Sequence, residues 1–448
     1  VIDADLGLQG SDLRAAELAY MIAHAEPVLA ISIDSRCDEL RQAASDAGSE
    51  LKVVALGQPL PAAATDICIA ARDGDPEAAL LYTSGTTGNP KGCILTNAYF
   101  IEAGRWYSTA TGICALNTDG ERMITPLPIF HMNAMAFSFM AMVAVGGCLT
   151  ALDRFHPRSW WASVRASGAT CLHYLGVMPS MLMGAAPADD DKNHTVRFGF
   201  GAGIDPKLHD AFESRFGFPV SEAWAMTETG AGGTICANKE PRIIGKSAIG
   251  SPDENLQARL VDDMGQDCDQ GELLVRAAGP DPRKGFFAGY FKNETATNEA
   301  WEGGWFHTGD IVRRDTDGTM YFVDRKKNVI RRSGENIAAV EVESALAKHP
   351  KIASVAVCAV PDDIRGDEVF ACIVPTEAPT PDLAEQITQW CLTQLAYYKA
   401  PGFVAFVDSL PVTATQKLQR AALKTLAEDL LHAPATVDTR HLKKRSAA

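Results

Sequence analysis

The chain has 448 residues, 46% of them apolar and 22% charged, and a formal net charge of −15. That length exceeds a single compact core, so two or three domains are expected, and the acidic balance argues against nucleic acid or an anionic membrane surface as the main partner. No apolar run reaches transmembrane length, and eleven cysteines and ten histidines without C-x-x-C or metal-ligand spacing point to a reduced, cytoplasmic setting.

The opening residues, Val1-Ile2-Asp3-Ala4-Asp5, read as the interior of a longer gene product rather than a signal peptide. Ser11 is expected to cap a helix whose apolar face holds Leu13, Leu18, Met21 and Ile22. Strands are predicted at 28–33 and 51–56, with a helix between them. A buried strand at 79–82 runs into a loop containing Thr83, Ser84, Gly85, Thr86, Thr87, Gly88, Pro90, Lys91 and Gly92. Its glycines let backbone N–H groups converge, its hydroxyls donate, and Lys91 adds charge, a combination suited to a polyphosphate. Pro90 before the lysine excludes a Walker A loop. Thr96-Asn97 offers an N-cap for the next helix, so the loop reads as a strand-to-helix connection. Strands at 122–125, 147–152, 170–174, 196–201 and 220–224 alternate with helices after Met132, Pro157 and Pro206, which implies a mostly parallel sheet.

From 246 to 324 the rhythm shortens to strands such as 256–261, 271–276 and 319–323 between Gly and Asp turns. After Arg325 a third pattern follows: helix 338–348, strands 354–360 and 369–374, helix 383–395, and a strand near Phe403. The tail, 440–445, is basic and expected to fray. The expected architecture is α/β: a large N-terminal domain of mostly parallel sheets with helices (1–245) and a β-rich subdomain (246–325), then a small α+β C-terminal domain (326–448).

The loop at 82–96, with the segments below in the same order, resembles the adenylate-forming superfamily of acyl-CoA synthetases, peptide-synthetase adenylation domains and firefly-type luciferases. The resemblance spans about 80 to 420 and implies that Thr83, Ser84, Gly85, Thr86, Thr87, Gly88 and Lys91 cradle the phosphates of ATP. His131, in Pro126-Leu127-Pro128-Ile129-Phe130-His131, falls on a residue beside the acyl carboxylate. Gly201-Ala202-Gly203 matches a segment that packs on adenine. In Trp224-Ala225-Met226-Thr227-Glu228 the family usually has Tyr-Gly at the first two positions; an indole stacks on adenine as a phenol does. Thr227 falls on an α-phosphate contact and Glu228 on a Mg²⁺ ligand.

Asp310, after Thr308-Gly309, matches the acceptor for both ribose hydroxyls, and Arg325 the arginine on ribose and phosphate; Lys326 reads as a solvated strand edge. Lys327 falls on the pivot of a mobile C-terminal domain, and Gly334 on the backbone that approaches the pantetheine arm of CoA, with Arg331 and Arg332 beside it for CoA phosphates. Lys417 matches the lysine that bridges substrate carboxylate and α-phosphate, although Gln416 stands where most relatives have glycine. The first ~70–80 residues of a typical member are expected to be missing, which would bare apolar surface.

The implied activity is an ATP-dependent carboxylate–CoA ligase using Mg²⁺, with acyl-AMP as intermediate and a domain rotation between two half-reactions. The implied partners are a carboxylic acid, ATP and CoA, with no nucleic acid and no integral membrane segment; a homodimer is compatible. Two other readings stay open: an adenylation enzyme that loads a carrier protein, and a non-catalytic nucleotide-binding remnant.

Overall fold

The computed structural model describes residues 3–4, 15–62, 75–83, 90–332, 335–362, 365–395, 397–412 and 418–443. Ser11, the loop residues Ser84, Gly85, Thr86, Thr87 and Gly88, and Gly334 and Lys417 lie outside them, as do the side chains of Lys327 and Arg331. The chain forms two compact units. One comprises Val1–Arg259, Leu274–His307 and Asp315–Tyr321; the other comprises Leu260–Leu273, Thr308–Arg314 and Phe322–Ala448. The residues expected to form a separate β-rich subdomain are thus shared between the two.

The first unit is built on a six-stranded sheet in the order Ile235–Cys236, Val220–Trp224, Phe198–Ala202, Cys171–Leu175, Arg122–Thr125, Cys148–Ala151. All neighbours are parallel except the edge pair Val220–Trp224 with Ile235–Cys236, in keeping with the strand–helix alternation. Its core buries Ile124, Trp160, Leu172, Phe212 and Phe216 almost completely. Burying each such side chain contributes about 1.5–3 kcal/mol.

One helix shows how local sequence sets these elements. In Pro206–Phe216, Asp205 accepts from Lys207 N (2.9 Å), Pro206 starts the first turn, and Gly217 closes the C-terminus at φ +81°. Aspartate at the cap, proline in the first turn and glycine in the left-handed position are each the residue that needs least distortion there.

The phosphate loop does not join a strand to a helix. It joins two antiparallel strands, Glu77–Thr83 and Lys91–Thr96, in a separate four-stranded sheet with Asp3–Ala4 and Gly289–Tyr290. The short apolar run at 94–95 is too brief to show by periodicity that it is the return arm of a hairpin. The helix expected at Thr96 follows directly: the Thr96 side chain accepts from Tyr99 N, and the helix runs Asn97–Ser108.

The strands Ala248–Gly250, Met320–Arg325, Phe306–Arg314, Gln270–Ala277 and Leu256–Val261 form a five-stranded sheet in that order. In the second unit, a further sheet runs Glu335–Ala338, Val329–Arg332, Gly366–Pro375, Phe403–Phe406, Val437–Asp438, with Ile352–Asp362 also paired to Gly366–Pro375. Helices Ala339–Leu346, Pro381–Gln394 and Arg420–Leu430 bury Val342, Leu346, Ile387 and Leu423 in this unit's two core clusters. The expected fraying of the tail does not hold as far as Lys443. Arg440 pairs with Asp438 and Asp362 and lies 4.6 Å from the Phe403 ring centre, and Lys443 is buried against Glu368.

Candidate active site

In the first unit the described ends of the phosphate loop are side by side, with Thr83 paired to Lys91 and Tyr82 to Gly92. Helix Ala15–Ala25 braces both ends from one face. Tyr20 OH donates to Pro90 O at 3.2 Å, and four residues on, His24 Nδ1 is 2.7 Å from Tyr82 OH. That spacing places both side chains on one stripe of the helix.

Glu228 is buried, and its Oε1 accepts from Tyr290 OH (3.1 Å) and Thr83 Oγ1 (3.4 Å). Among the described residues no cluster of three or more His, Cys, Asp or Glu side chains forms a dedicated metal cage. A lone carboxylate flanked by hydroxyls fits Mg²⁺, which keeps several waters and takes its remaining oxygens from substrate phosphates. The residues therefore fit the ion as ligands shared with a nucleotide.

The turn before Glu228 is fixed from behind. Thr229 Oγ1 accepts from Met226 N at 2.9 Å, and Tyr99 OH donates to Thr227 O at 3.0 Å. Among the described non-glycine residues only Glu26, Ser247 and Lys292 take positive φ, so the turn asks nothing of Ala225 that alanine cannot adopt. Trp224 is buried and ends its strand opposite Ile235.

Gly201-Ala202-Gly203 ends the neighbouring strand with Ala202 and Gly203 exposed. A Cβ on Gly201 would sit 2.2 Å from Tyr174 O, and Gly203 has φ +81°, so neither tolerates a side chain. Sequence reasoning missed what holds this segment. The carboxylate of Glu222 accepts from Gly203 N (2.8 Å), Ile204 N (3.1 Å) and Tyr174 OH (2.6 Å). Burial raises its pKa against the opposing effect of those donors. Nothing in Val220–Trp224 marks Glu222 out, because its partners come from other segments of the chain.

His131 is exposed, its ring 4.9 Å from that of Phe130. A π-helical stretch, Asn133–Phe139, begins two residues later, a local form often found at functional sites. It is pinned by His173, which is fully buried. His173 Nδ1 lies 2.5 Å from Asn133 Oδ1 and 2.8 Å from Ser138 Oγ, and Nε2 lies 3.0 Å from Tyr107 OH. Burial pushes the imidazole pKa down to about 3, so it is neutral at physiological pH. Of the nearby methionines, Met132 and Met178 are buried, Met135, Met140 and Met226 are half-buried, and Met181 is exposed.

In the second unit Asp310 is buried and Arg325 Nε lies 2.7 Å from its Oδ1, so two residues singled out separately in the sequence are joined. Thr308 Oγ1 accepts from Asp310 N and donates to Leu273 O. Gly309 turns at φ +66°, its N–H donating to Glu272 Oε1 at 3.1 Å. Lys326 is not the solvated residue expected of a strand edge, since its ammonium lies 2.7 Å from buried Glu272 Oε2. Lys326–Asn328 forms a single 3₁₀ turn, held by Asp324, which accepts from Arg325 N (2.7 Å) and Asn328 Nδ2 (3.1 Å).

Arg332 cannot serve CoA phosphates as expected. Its side chain is 3% exposed, and Nε lies 2.9 Å from both oxygens of Glu368. Lys443 reaches the same carboxylate at 2.5 Å, and burial lowers its pKa to about 8. The guanidinium offsets a buried anion, and withdrawing it to meet a ligand would leave Glu368 with Lys443 as its one cationic partner among the described residues. The alternation Val329–Arg332 puts Ile330 and Arg332 on the inward face, a pattern that Arg331-Arg332 masks in the sequence. The residues flanking Lys417 are closed into a loop by a bridge between Val412 and Leu418 and by Gln419 N donating to Pro411 O at 2.9 Å. Arg420, just beyond, is tied to Glu343 and to Val357 O.

Residues 9–291 match the AMP-binding enzyme family, and residues 341–417 match the AMP-binding enzyme C-terminal domain. The chain belongs to the AMP-binding enzyme family. It is 33% identical over 352 residues to a crotonobetaine/carnitine–CoA ligase of Salmonella arizonae, across 78% of this chain and 67% of that protein. A ligase of the same name from Escherichia coli matches to the same extent. Among solved structures, ATP-bound MatB from Rhodopseudomonas palustris superposes with a TM-score of 0.78 at 24% identity, covering 94% of this chain and 83% of that one, a likeness of fold. The O-succinylbenzoate CoA synthetase of Bacillus subtilis with ATP and magnesium gives a TM-score of 0.75 at 25% identity, covering 93% and 82%. The chain is thus an adenylate-forming enzyme of the CoA-ligase type, with the mixed α/β fold of AMP-binding enzymes and with ATP and CoA as the substrates that fit it.

Proposed function

We propose that the enzyme activates a small or medium, mainly apolar carboxylic acid, in a cytoplasmic setting and with Mg²⁺ bound at Glu228. The observation that carries the nucleotide part is the Glu228 carboxylate, held by Thr83 and Tyr290 at the base of the phosphate hairpin. In the first half-reaction the acid's carboxylate oxygen attacks the α-phosphorus of ATP, and the bond to pyrophosphate breaks. Bound Mg²⁺ supplies charge neutralisation on the phosphates. Thr83, Lys91 and the loop residues Ser84 to Gly88 hold the phosphates, and Thr227 contacts the α-phosphate. Gly201, Ala202, Gly203, Trp224, Ala225 and Met226 bound the adenine. Asp310 accepts from the ribose hydroxyls, and Lys417 offsets the charge that gathers as two anions meet. In the second half-reaction the CoA sulfur attacks the acyl carbon and AMP leaves, with Gly334 beside the pantetheine arm and Lys327 as the pivot. ATP–pyrophosphate exchange dependent on an acid, followed by CoA-dependent AMP release, tests the reading; exchange without any CoA step would favour carrier-protein loading.

Asp310→Ala is expected to weaken ATP binding and leave the apparent affinity for the acid nearly unchanged. Asp310 is already joined to Arg325, so the substitution removes an acceptor for ribose and also frees that arginine. A hydrogen bond to a charged group is worth about 1.5–3 kcal/mol, or roughly ten- to a hundred-fold in affinity. Calorimetry that finds ATP affinity unaltered would remove Asp310 from the site.

The acyl preference follows from the walls by resemblance. Residues 132–145 and 177–183 contain seven methionines and no lysine or arginine. Methionine is flexible and polarizable and adapts to irregular apolar ligands. A second carboxylate would be buried without a partner there, at a cost of several kcal/mol. Comparing kcat/KM for butyrate-like, aryl and dicarboxylic acids, with crotonobetaine and carnitine included, is expected to place the dicarboxylates last. A clear preference for a dicarboxylate would overturn the assignment.

A further inference from the structure

The strand Gly289–Tyr290 belongs to none of the motifs used above. It runs antiparallel to the return arm of the phosphate hairpin, with Gly289 opposite Ile94 and Tyr290 opposite Cys93. Backbone bonds extend the pairing: Phe287 N donates to Glu228 O (3.0 Å), Ala288 N to Ile94 O (2.9 Å) and Phe291 N to Gly92 O (2.7 Å). One short segment therefore ties the Glu228 peptide to the strand that begins at Lys91. Tyr290 lies at the middle of this tie. Its hydroxyl donates to Glu228 Oε1 at 3.1 Å, and Lys91 Nζ lies 4.7 Å from its ring centre. The residue is itself held, since Tyr290 N donates to Thr297 Oγ1 at 2.9 Å and its ring meets Phe287 edge-on at 4.9 Å.

The two contacts use different parts of one side chain. The ring face attracts the ammonium, and the hydroxyl occupies one acceptor site of the carboxylate. Lys91 and Glu228 carry opposite charges, and a direct ion pair between them would withdraw both from a ligand. A rigid phenol that engages each by a different part holds them near one another while leaving acceptor sites of the carboxylate open for a cation. Outer-shell donors of this kind fix the direction of metal-binding carboxylates.

We propose that Tyr290 is a positioning residue for the magnesium nucleotide, orienting Glu228 through its hydroxyl and Lys91 through its ring. This rests on the roles proposed above for Glu228 and Lys91. The test compares Tyr290→Phe, Tyr290→Leu and Glu228→Ala with the wild type by calorimetric titration of ATP, without acid or CoA, across a Mg²⁺ series and in EDTA. Tyr290→Phe is expected to raise the Mg²⁺ concentration for half-maximal ATP binding roughly tenfold, the usual loss on removing an outer-shell donor. Affinity for ATP in EDTA should stay at the wild-type value, because the ring under Lys91 remains. Tyr290→Leu should weaken ATP binding in EDTA as well. A Tyr290→Phe protein with wild-type Mg²⁺ dependence, beside a Glu228→Ala protein whose dependence is shifted, would overturn the proposal and leave the metal assignment standing. If Glu228→Ala also leaves the Mg²⁺ dependence unmoved, the metal assignment fails and the proposal falls with it. Should Tyr290→Leu not fold, Tyr290→Phe decides alone.

Discussion

Lys417→Ala is expected to slow adenylate formation roughly 10²–10³-fold, the usual effect of deleting one group that stabilises transition-state charge. Thioester formation from supplied acyl-AMP should remain near the wild-type rate, since the family position that Lys417 matches acts only in the first half-reaction. The surroundings favour a clean test. Val412 and Leu418, on either side of the segment, are bridged, and Arg420 is anchored on Glu343. The two half-reactions are measured separately, by pyrophosphate exchange and by single-turnover transfer to CoA. Equal losses in both would contradict a two-state cycle.

Lys327→Pro is expected to do the opposite, preserving adenylate formation while CoA transfer falls by a factor of ten or more, on the order of 1.4 kcal/mol of added barrier or greater. Proline fixes φ near −65° and removes the backbone N–H, so a rotation about this residue is blocked. Lys327 sits in the middle of the single turn Lys326–Asn328, and the groups on either side are fixed: Asp324 holds Arg325 and Asn328, and Glu272 holds Lys326. With its neighbours anchored, a change in direction of the chain concentrates in few torsions, as hinges require. Stopped-flow mixing of preformed acyl-AMP enzyme with CoA reads the effect. A wild-type transfer rate would show that the pivot lies elsewhere.

Much of this was legible before any coordinates. The parallel strands from 122 to 224 stand out because buried β-rich runs alternate with capped helices, and Asp205-Pro206 with Gly217 brackets one helix by side-chain chemistry alone. Thr83, Lys91, Glu228, Asp310 and Arg325 carry recognisable types in recognisable order, and the structure joins Asp310 to Arg325 and Thr83 to Glu228. What escaped was set by tertiary pairing. The phosphate loop is a hairpin because its return arm pairs with Glu77–Thr83, which a run of two apolar residues cannot announce. Glu222, Glu272 and Tyr290 do their work through partners far away in the sequence. Arg332 misled because arginine beside a glycine loop suggests a phosphate, whereas its partner Glu368 lies on a strand that pairs with its own.

The imidazole that pins the π-helical stretch also makes the folded state sensitive to acid. Buried His173 takes up a proton only near pH 3, but in the unfolded chain it does so near its ordinary value of 6.5. Below that value the unfolded state binds the extra proton and the folded state does not, so acid draws the equilibrium towards unfolding. The stabilisation is complete above pH 6.5 and falls by about 1.4 kcal/mol for each pH unit down towards 3. Below pH 6.5 folding therefore expels a proton from this imidazole, and protonating it acts against the contacts to Asn133, Ser138 and Tyr107.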